Sequence, residues 1–274
     1  MILRLAQFLS LSLSLSISGP AFAAGPTHAD VAYASGSKQK YDLYMPANPT
    51  RNTPVLVVVH GGGWVAGDKS NKNAIAFKAP HYTAKGYVVA SVNYRLLPGT
   101  KPDEQARDVA RAIKHIQASS SRWGGDPTNM AVMGHSSGAH LLALVAGNPE
   151  AYELRNWKAT VLLDTEALDV ANLMRNGAGQ VARGAFGIDP SYWTQVSPAE
   201  TVTAGMAPVF IMCSALRETA CPQAREYGED IEAVGGTAHV RAVQLTHEEV
   251  NTSIGQQNGY TGAVDNFLRN SGLR

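Results

Sequence analysis

Short apolar runs recur along the chain and alternate with longer segments whose apolar residues repeat every three or four positions. The first run, Val55 to Val59, follows Pro54 and ends at a glycine-rich stretch. A continuous apolar run bounded by turn residues is typical of a strand buried on both faces of a sheet. On the same grounds we predict further strands at 87–95, 129–134, 159–164, 207–213 and 239–245.

The segments between these runs have the pattern of amphipathic helices. In the clearest one Pro102 is the first residue, and Val109, Ala112, Ile113 and Ile116 form one apolar face. Further helices are predicted at 74–86, 137–147, 222–236 and 259–270. Strands that alternate with helices indicate an α/β fold, with a mostly parallel central sheet and helices on both faces.

One longer segment, 165–207, has no clear periodicity. Its length fits a small or minimal lid, or one wall of a pocket. Phe186, Tyr192 and Trp193 are candidates for lining that pocket, although aromatic residues in such a segment are as often part of the core. No linker divides the chain, so we assign residues 24–274 to one catalytic domain.

The first 23 residues differ from the rest of the chain. Arg4 precedes an apolar, serine-rich stretch, which ends at Gly19-Pro20 and the small residues Ala21 and Ala23. This is the pattern of a secretory signal peptide cleaved after Ala23. A membrane anchor is the alternative, but the apolar stretch is short and serine-rich for a bilayer span. We therefore expect a periplasmic or secreted protein with no membrane attachment after cleavage.

The charge and the cysteine content of the chain indicate which partners and which covalent cross-links to expect. The chain has 23 basic and 22 acidic residues and no basic run, so a nucleic-acid partner is not expected. Its two cysteines, Cys213 and Cys221, are eight positions apart. In an oxidising compartment such a pair favours a disulfide. The alternative is two free thiols, one of them buried.

The stretch GHSSG, residues 134–138, matches the pattern G-x-S-x-G. The match is informative because a predicted strand precedes it and a predicted helix follows it. In that context Ser136 lies on a tight turn with its hydroxyl exposed, as a nucleophile requires. The alternative is an ordinary glycine-rich turn between a strand and a helix.

A second glycine-rich stretch, HGGGW at 60–64, follows the first predicted strand. Backbone N–H groups of Gly61 and Gly62, together with that of Ser137, would form an oxyanion hole for a carbonyl attacked by Ser136. A phosphate-binding loop is the alternative, but the lysine and the glycine spacing of the known phosphate loops are absent.

His247 is the best candidate for the general base. It follows the last predicted strand and precedes the last helix. This is the expected place when a G-x-S-x-G serine is followed along the chain by the acid and then by the histidine. His239 lies at the start of that strand, which is the wrong end of the sheet. His135 adjoins Ser136 and is expected to support the turn, and His60 to order its own loop.

Taken together, HGGGW, GHSSG, VNYRLLP at 92–98, SPAE at 197–200 and PVFIM at 208–212 resemble esterases of the α/β-hydrolase fold that carry an HGGGW loop. These are the hormone-sensitive-lipase and feruloyl- or acetyl-esterase groups. The resemblance covers nearly all of the chain after residue 23. It implies hydrolysis of small carboxylic esters through a Ser-His-acid triad, with no cofactor and no metal. Arylformamidases and amidases of the same fold are the alternative.

The same resemblance places the triad acid in the loop after the strand at 207–213. The only carboxylate there is Glu218, four residues before Pro222, so Glu218 is the predicted acid. A glutamate can orient the imidazole as an aspartate does. Asp164, at the end of the preceding strand, is the main rival, and Glu218 could instead be a solvated loop charge.

Overall fold

A computed structural model describes residues 25–273, so the expected signal peptide at 1–23 lies outside the described residues. One eight-stranded sheet organises the described chain. Its strands are β1 (His28–Ala32), β2 (Lys40–Tyr44), β3 (Thr53–Val59), β4 (Val88–Val92), β5 (Gly125–His135), β6 (Ala159–Leu163), β7 (Val209–Ser214) and β8 (Ala238–Val243).

The strands lie in the order β1-β2-β4-β3-β5-β6-β7-β8. Only β2 among them runs antiparallel to its neighbours, β1 and β4, and every other pair is parallel. The predicted mostly parallel sheet is therefore confirmed. Because β5, β6, β7 and β8 are adjacent and parallel, the loops at their carboxyl ends meet at one edge of the sheet.

Helices cover both faces of the sheet. The α-helices are α1 (Lys72–Ile75), α2 (Lys78–Ala84), α3 (Pro102–Ser119), α4 (Ser137–Gly147), α5 (Val170–Arg175), α6 (Gln180–Phe186), α7 (Pro190–Gln195), α8 (Ala220–Ala233), α9 (His247–Thr252) and α10 (Gly259–Asn270). Within residues 25–273 no helix has both the length and the apolar character needed to cross a membrane.

Alternate residues of each central strand enter opposite halves of the core. Val57 of β3 belongs to the half of the core that contains residues of α3, α4 and α8, whereas Leu56 and Val58 belong to the half that contains residues of α2, α9 and α10. All seven residues of β3 are buried as a result. Burial on both faces explains why the strand appears in the sequence as an unbroken apolar run.

The segment at 165–207 is more regular than its sequence indicates. It contains α5, α6, α7 and a short 3₁₀ helix at Pro198–Thr201. Of its three aromatic candidates, Phe186 is buried edge-on against Trp64, and the Tyr192 hydroxyl bonds to Asp103. The Trp193 indole N–H bonds to the Phe186 carbonyl. Phe186 and Tyr192 thus attach the segment to the rest of the protein, whereas the Trp193 bond joins two parts of the segment itself.

Candidate active site

Ser136 lies at the turn between β5 and α4. Its φ of 55° and ψ of −123° are outside the regions that side-chain-bearing residues favour. Such a conformation costs roughly 1–3 kcal/mol and persists only where the surroundings enforce it. Here the Ser136 N–H donates to the Leu163 carbonyl at 2.9 Å, which fixes the turn against β6. The serine hydroxyl is thereby presented at the carboxyl edge of the sheet.

Two flanking glycines make this turn possible. A Cβ on Gly134 would lie 2.6 Å from the Gly138 carbonyl oxygen. A Cβ on Gly138 would lie 2.5 Å and 2.4 Å from the carbonyl oxygens of Val59 and His60. The start of α4 thus lies directly against the end of β3, where a side chain cannot fit.

We expect Gly138→Ala to destabilise the fold by about 1–3 kcal/mol, because the added methyl meets rigid backbone on β3. Activity should fall as well, since relief of the clash displaces the turn that carries Ser136. Urea unfolding and esterase assays of the same preparation measure both effects. Gly262→Ala is the matched control, because open space surrounds that helical position. Equal stability of the two variants would contradict the packing argument.

His247 lies within hydrogen-bond distance of Ser136. Its Nε2 is 3.0 Å from the serine Oγ, and its Nδ1 is 2.6 Å from Asp164 Oδ2. His247 is the first residue of α9, whose N-cap Thr246 forms a reciprocal capping box with Glu249. The cap fixes the entry of the chain into α9 and therefore the position of the imidazole.

Asp164, and not Glu218, occupies the position of the acid. Asp164 follows β6 directly, is fully buried, and bonds to His247. Glu218 is exposed, and no residue in the described range forms a hydrogen bond or ion pair with it. The prediction of Glu218 is corrected accordingly: the loop after β7 turns the side chain of Arg217 inward and leaves that of Glu218 in solvent.

Several donors converge on the Asp164 carboxylate. Oδ1 accepts the Ser214 N–H at 2.7 Å, and Oδ2 accepts from His247 and from Arg217 Nη1, the latter at 2.8 Å. Burial alone would raise the pKa of Asp164, but these hydrogen bonds and the Arg217 charge outweigh it and lower the pKa below its ordinary value. Asp164 is therefore ionised at neutral pH, as an acid that orients an imidazole must be.

The HGGGW loop lies beside Ser136, as predicted. A Cβ on Gly61 would lie 2.9 Å from the Ser136 Cβ, and Gly62 has a φ of 134° that favours glycine. Across residues 25–273, the backbone N–H groups of Gly61 and Gly62 donate to no other group of the protein. Ser137 begins α4 and lines the same cavity. Unused N–H groups beside the serine are what an oxyanion hole requires.

His135 and Lys78 support the histidine and were not assigned this role from the sequence. The His135 ring packs on that of His247 with centroids 4.5 Å apart, and its Nε2 bonds to the His247 carbonyl at 2.9 Å. Burial lowers the pKa of His135 to about 3, so it is neutral and donates this bond as Nε2–H.

Lys78, buried in α2, donates from Nζ to the Asn251 carbonyl at 2.6 Å and to its side-chain oxygen at 2.7 Å. Asn251 in turn donates to the Asn73 carbonyl. Burial lowers the pKa of Lys78 to about 7. The lysine thus ties α9, and with it His247, to the helices on one side of the cavity.

Trp64 connects the oxyanion loop to the segment at 165–207. Its indole N–H donates to His140 Nδ1 at 3.1 Å, and His140 Nε2 donates to the Val196 carbonyl at 2.8 Å. Burial lowers the pKa of His140 to about 4, so the ring stays neutral and can accept the tryptophan N–H. The loop is therefore held from behind by a buried polar chain.

Cys213 of β7 and Cys221 of α8 form a disulfide with a Cα–Cα distance of 5.2 Å. The bond closes the short loop that carries Arg217. The same loop is attached to Glu166 through the Thr219 hydroxyl and through Arg217 Nη2. Neither Arg217 nor Glu166 follows from a sequence motif, since their pairing depends on how two loops meet.

Closure of this eight-residue loop should stabilise the fold by about 2.5 kcal/mol, on the chain-entropy account. The variant Cys213→Ala/Cys221→Ala is expected to lose that amount in urea unfolding. Wild-type protein unfolded without reductant should show no titratable thiol. Two free thiols per chain in that titration would contradict the disulfide.

A cavity of about 590 Å³ opens above Ser136. Its apolar wall includes Ala167, Leu173, Val181 and Ala182. Beside the candidate catalytic residues, its polar lining includes Asn71, Asn73, Glu166, Arg217 and Glu248. The predicted aromatic lining is thus replaced by small aliphatic residues from α5, α6 and the loop after β6. Within the described range, no cluster of three or more His, Cys, Asp or Glu side chains is arranged to hold a metal ion.

The fold and the geometry of this site define an α/β-hydrolase fold with Ser136, His247 and Asp164 in hydrogen-bonded succession. Comparison with solved structures finds the same fold in an esterase. A truncated carbohydrate esterase from gut microbiota superimposes with a TM-score of 0.78 over 92% of this chain and 100% of its own, at 19% sequence identity.

Sequence comparison also finds esterases among the proteins that resemble this chain. The BD-FAE family model matches residues 41–176. Esterase LipC of Mycobacterium tuberculosis is 27% identical over an alignment of 228 residues that covers 74% of this chain and 55% of LipC. A probable isoprenylcysteine alpha-carbonyl methylesterase of Oryza sativa subsp. japonica is 30% identical over 134 residues, 47% of this chain and 32% of the relative. The chain therefore spans between a third and a little over half of these curated relatives.

Proposed function

We propose that the protein is a serine carboxylic-ester hydrolase acting on small or short-chain esters. The observation that carries the proposal is the continuous contact from Asp164 to His247 to Ser136, beside unused N–H groups of the glycine loop. The esterase relatives support the same reaction class.

The chemistry begins with Ser136. His247 Nδ1–H donates to Asp164, so its Nε2 presents a lone pair to the serine hydroxyl. As the Ser136 oxygen attacks the ester carbonyl, its proton passes to Nε2. The N–H groups of Gly61, Gly62 and Ser137 stabilise the oxyanion.

His247 then gives its proton to the departing alcohol. Water enters, loses a proton to His247 and attacks the acyl-Ser136 ester. A second oxyanion forms in the same glycine loop and collapses as the bond to the Ser136 oxygen breaks. His247 returns its proton to that oxygen, which gives free acid and serine. Asp164 remains a carboxylate throughout, since its task is to hold the imidazole and stabilise its positive form.

The cavity supports a preference for small neutral groups. The apolar wall consists of aliphatic side chains, among them Leu173, Val181 and Ala182. The one cation in the described lining, Arg217, is already paired with two carboxylates. An anionic substrate would therefore find no free cation there among the described residues.

A series of p-nitrophenyl esters tests the proposal. Acetate and butyrate should be hydrolysed with the highest kcat/KM, and palmitate with the lowest. N-formylkynurenine, included as the formamide alternative, should react more slowly than either short ester. Folded protein that turns over the formamide but no ester would overturn the proposal.

We further propose that the protein is exported to the periplasm or secreted. The signal-like pattern at 1–23 supports this, and so does a disulfide, which persists in oxidising compartments. Intact-mass analysis of protein recovered outside the cytoplasm should give a chain that begins at Ala24. A full-length cytoplasmic chain would contradict export.

A further inference from the structure

Arg217 contacts two members of the proposed triad at once. Its Nη1 lies 2.8 Å from Asp164 Oδ2 and 3.0 Å from His247 Nδ1. The same Asp164 oxygen accepts from His247 at 2.6 Å. Since Nδ1 carries a proton in that bond, Arg217 and His247 are two donors that share one acceptor oxygen. A permanent positive charge therefore lies beside the imidazole that must accept a proton during catalysis.

Glu166 holds the other side of the same guanidinium. Its Oε2 is paired with Arg217 Nη2, and its Oε1 accepts from the Thr219 hydroxyl. The guanidinium thus lies between two carboxylates, one belonging to the triad and one at the cavity wall. Arginine suits this position because its planar fork can hold two carboxylates at fixed separation.

The other groups that face His247 do not place a second cation at its ring, so the Arg217–Glu166 pair controls the charge there. His135 from β5 packs on the ring and is neutral. Glu248 adjoins His247 in α9, and Lys78 from α2 lies close enough to act on both Glu248 and His135. Ser136 and Asp164 complete the surroundings. Among these groups only Arg217 places a cation within hydrogen-bond distance of the imidazole ring.

We propose that Arg217 is a positioning residue for the Asp164 carboxylate, and that Arg217 and Glu166 together set the acid limit of activity by balancing each other's charge beside His247. The inference rests on the proposed ester hydrolysis. Arg217 opposes protonation of the imidazole, which extends activity to lower pH. Glu166 offsets part of that positive charge, which moves the limit back to higher pH.

Opposite shifts in the pH profile test this proposal. With p-nitrophenyl acetate, Arg217→Met should move the acid limb of kcat/KM to higher pH by about one unit, and Glu166→Gln should move it to lower pH by about half a unit. The double variant should lie between the two, about half a unit above wild type. Arg217→Lys keeps the charge and should keep the acid limb, but with a lower kcat because an ammonium lacks the planar fork that holds the two carboxylates at fixed separation.

Exposed residues of α8 provide matched controls. Arg225→Met and Glu226→Gln make the same charge changes away from the site and should leave the profile unchanged. Shifts of the same sign in Arg217→Met and Glu166→Gln, or shifts no larger than those of the controls, would overturn the proposal. A purely structural role predicts loss of kcat without opposite shifts.

The test also separates this inference from the proposed function. An inactive wild-type protein would count against ester hydrolysis. The NMR titration of the His247 ring needs no turnover, and its midpoint should move in the same two directions in the two variants. Unchanged midpoints would contradict the charge balance whether or not the wild type is active.

Discussion

Ser136→Ala is expected to lower kcat for p-nitrophenyl acetate by about four to six orders of magnitude. Without the hydroxyl there is no acyl-enzyme, and only transition-state stabilisation by the glycine loop remains. The fold should persist, because the turn is fixed by backbone contacts: the bond from the Ser136 N–H to Leu163 and the close approach of Gly138 to β3. Thermal unfolding of the variant checks that the protein is intact.

Ser137→Ala is the matched control for this loss. Its hydroxyl lies 3.3 Å from the Tyr94 hydroxyl, behind the site, and the proposed contribution of Ser137 is its backbone N–H. We expect the variant to keep kcat within about tenfold of wild type, since an alanine retains that N–H donor. Near-normal turnover by Ser136→Ala, or an equal loss in both variants, would contradict the assignment of the nucleophile.

Asp164→Asn should lower kcat by about three to four orders of magnitude, while Glu218→Gln leaves it unchanged. The amide can bond to His247 but favours the wrong tautomer and no longer stabilises the imidazolium. It also leaves Arg217 beside the ring without its carboxylate partner. Glu218 is exposed, and within the described chain it forms no hydrogen bond or ion pair that connects it to the site.

The pair of variants is informative because both remove one negative charge. Urea unfolding is needed alongside, since Asp164 is buried and its replacement weakens bonds to Ser214 and Arg217. A folded Asp164→Asn with wild-type kcat, together with a large loss in Glu218→Gln, would restore the acid that the sequence favours.

The sheet and two of the three triad positions could be predicted from the sequence because they depend on local signals. The apolar runs mark strands buried on both faces, and Ser136 lies between a predicted strand and a predicted helix. His247 follows the last strand, where a parallel sheet presents its loops. Each of these inferences needs only one element and its immediate neighbours in the chain.

The identity of the triad acid could not be predicted from local signals in the same way. Asp164 and Glu218 both follow strands that end at the same edge of the sheet, so position along the chain allows either. The choice depends on which side chain of the β7–α8 loop turns inward, and there the inward residue is Arg217. Its charge lies against Asp164, which is a contact between two loops 53 positions apart.

The helices of the segment at 165–207 and the cavity wall they form could not be predicted from the sequence either. The α-helices of that segment have six or seven residues each, too short to show a periodic apolar face. They are held by tertiary contacts, such as Phe186 against Trp64 and the chain from Trp64 through His140 to Val196. The apolar wall of the cavity is therefore formed by Ala167, Leu173, Val181 and Ala182, and no sequence motif marks these residues.

Labelling with a fluorophosphonate tests the central claim most directly, because the probe reacts far faster with a serine activated by its neighbours than with an ordinary hydroxyl. The wild-type protein should gain one adduct, mapped by mass spectrometry to Ser136. The adduct should be lost in Ser136→Ala and form far more slowly in Asp164→Asn. An adduct on any other residue, or none on folded wild-type protein, would contradict a triad of Ser136, His247 and Asp164.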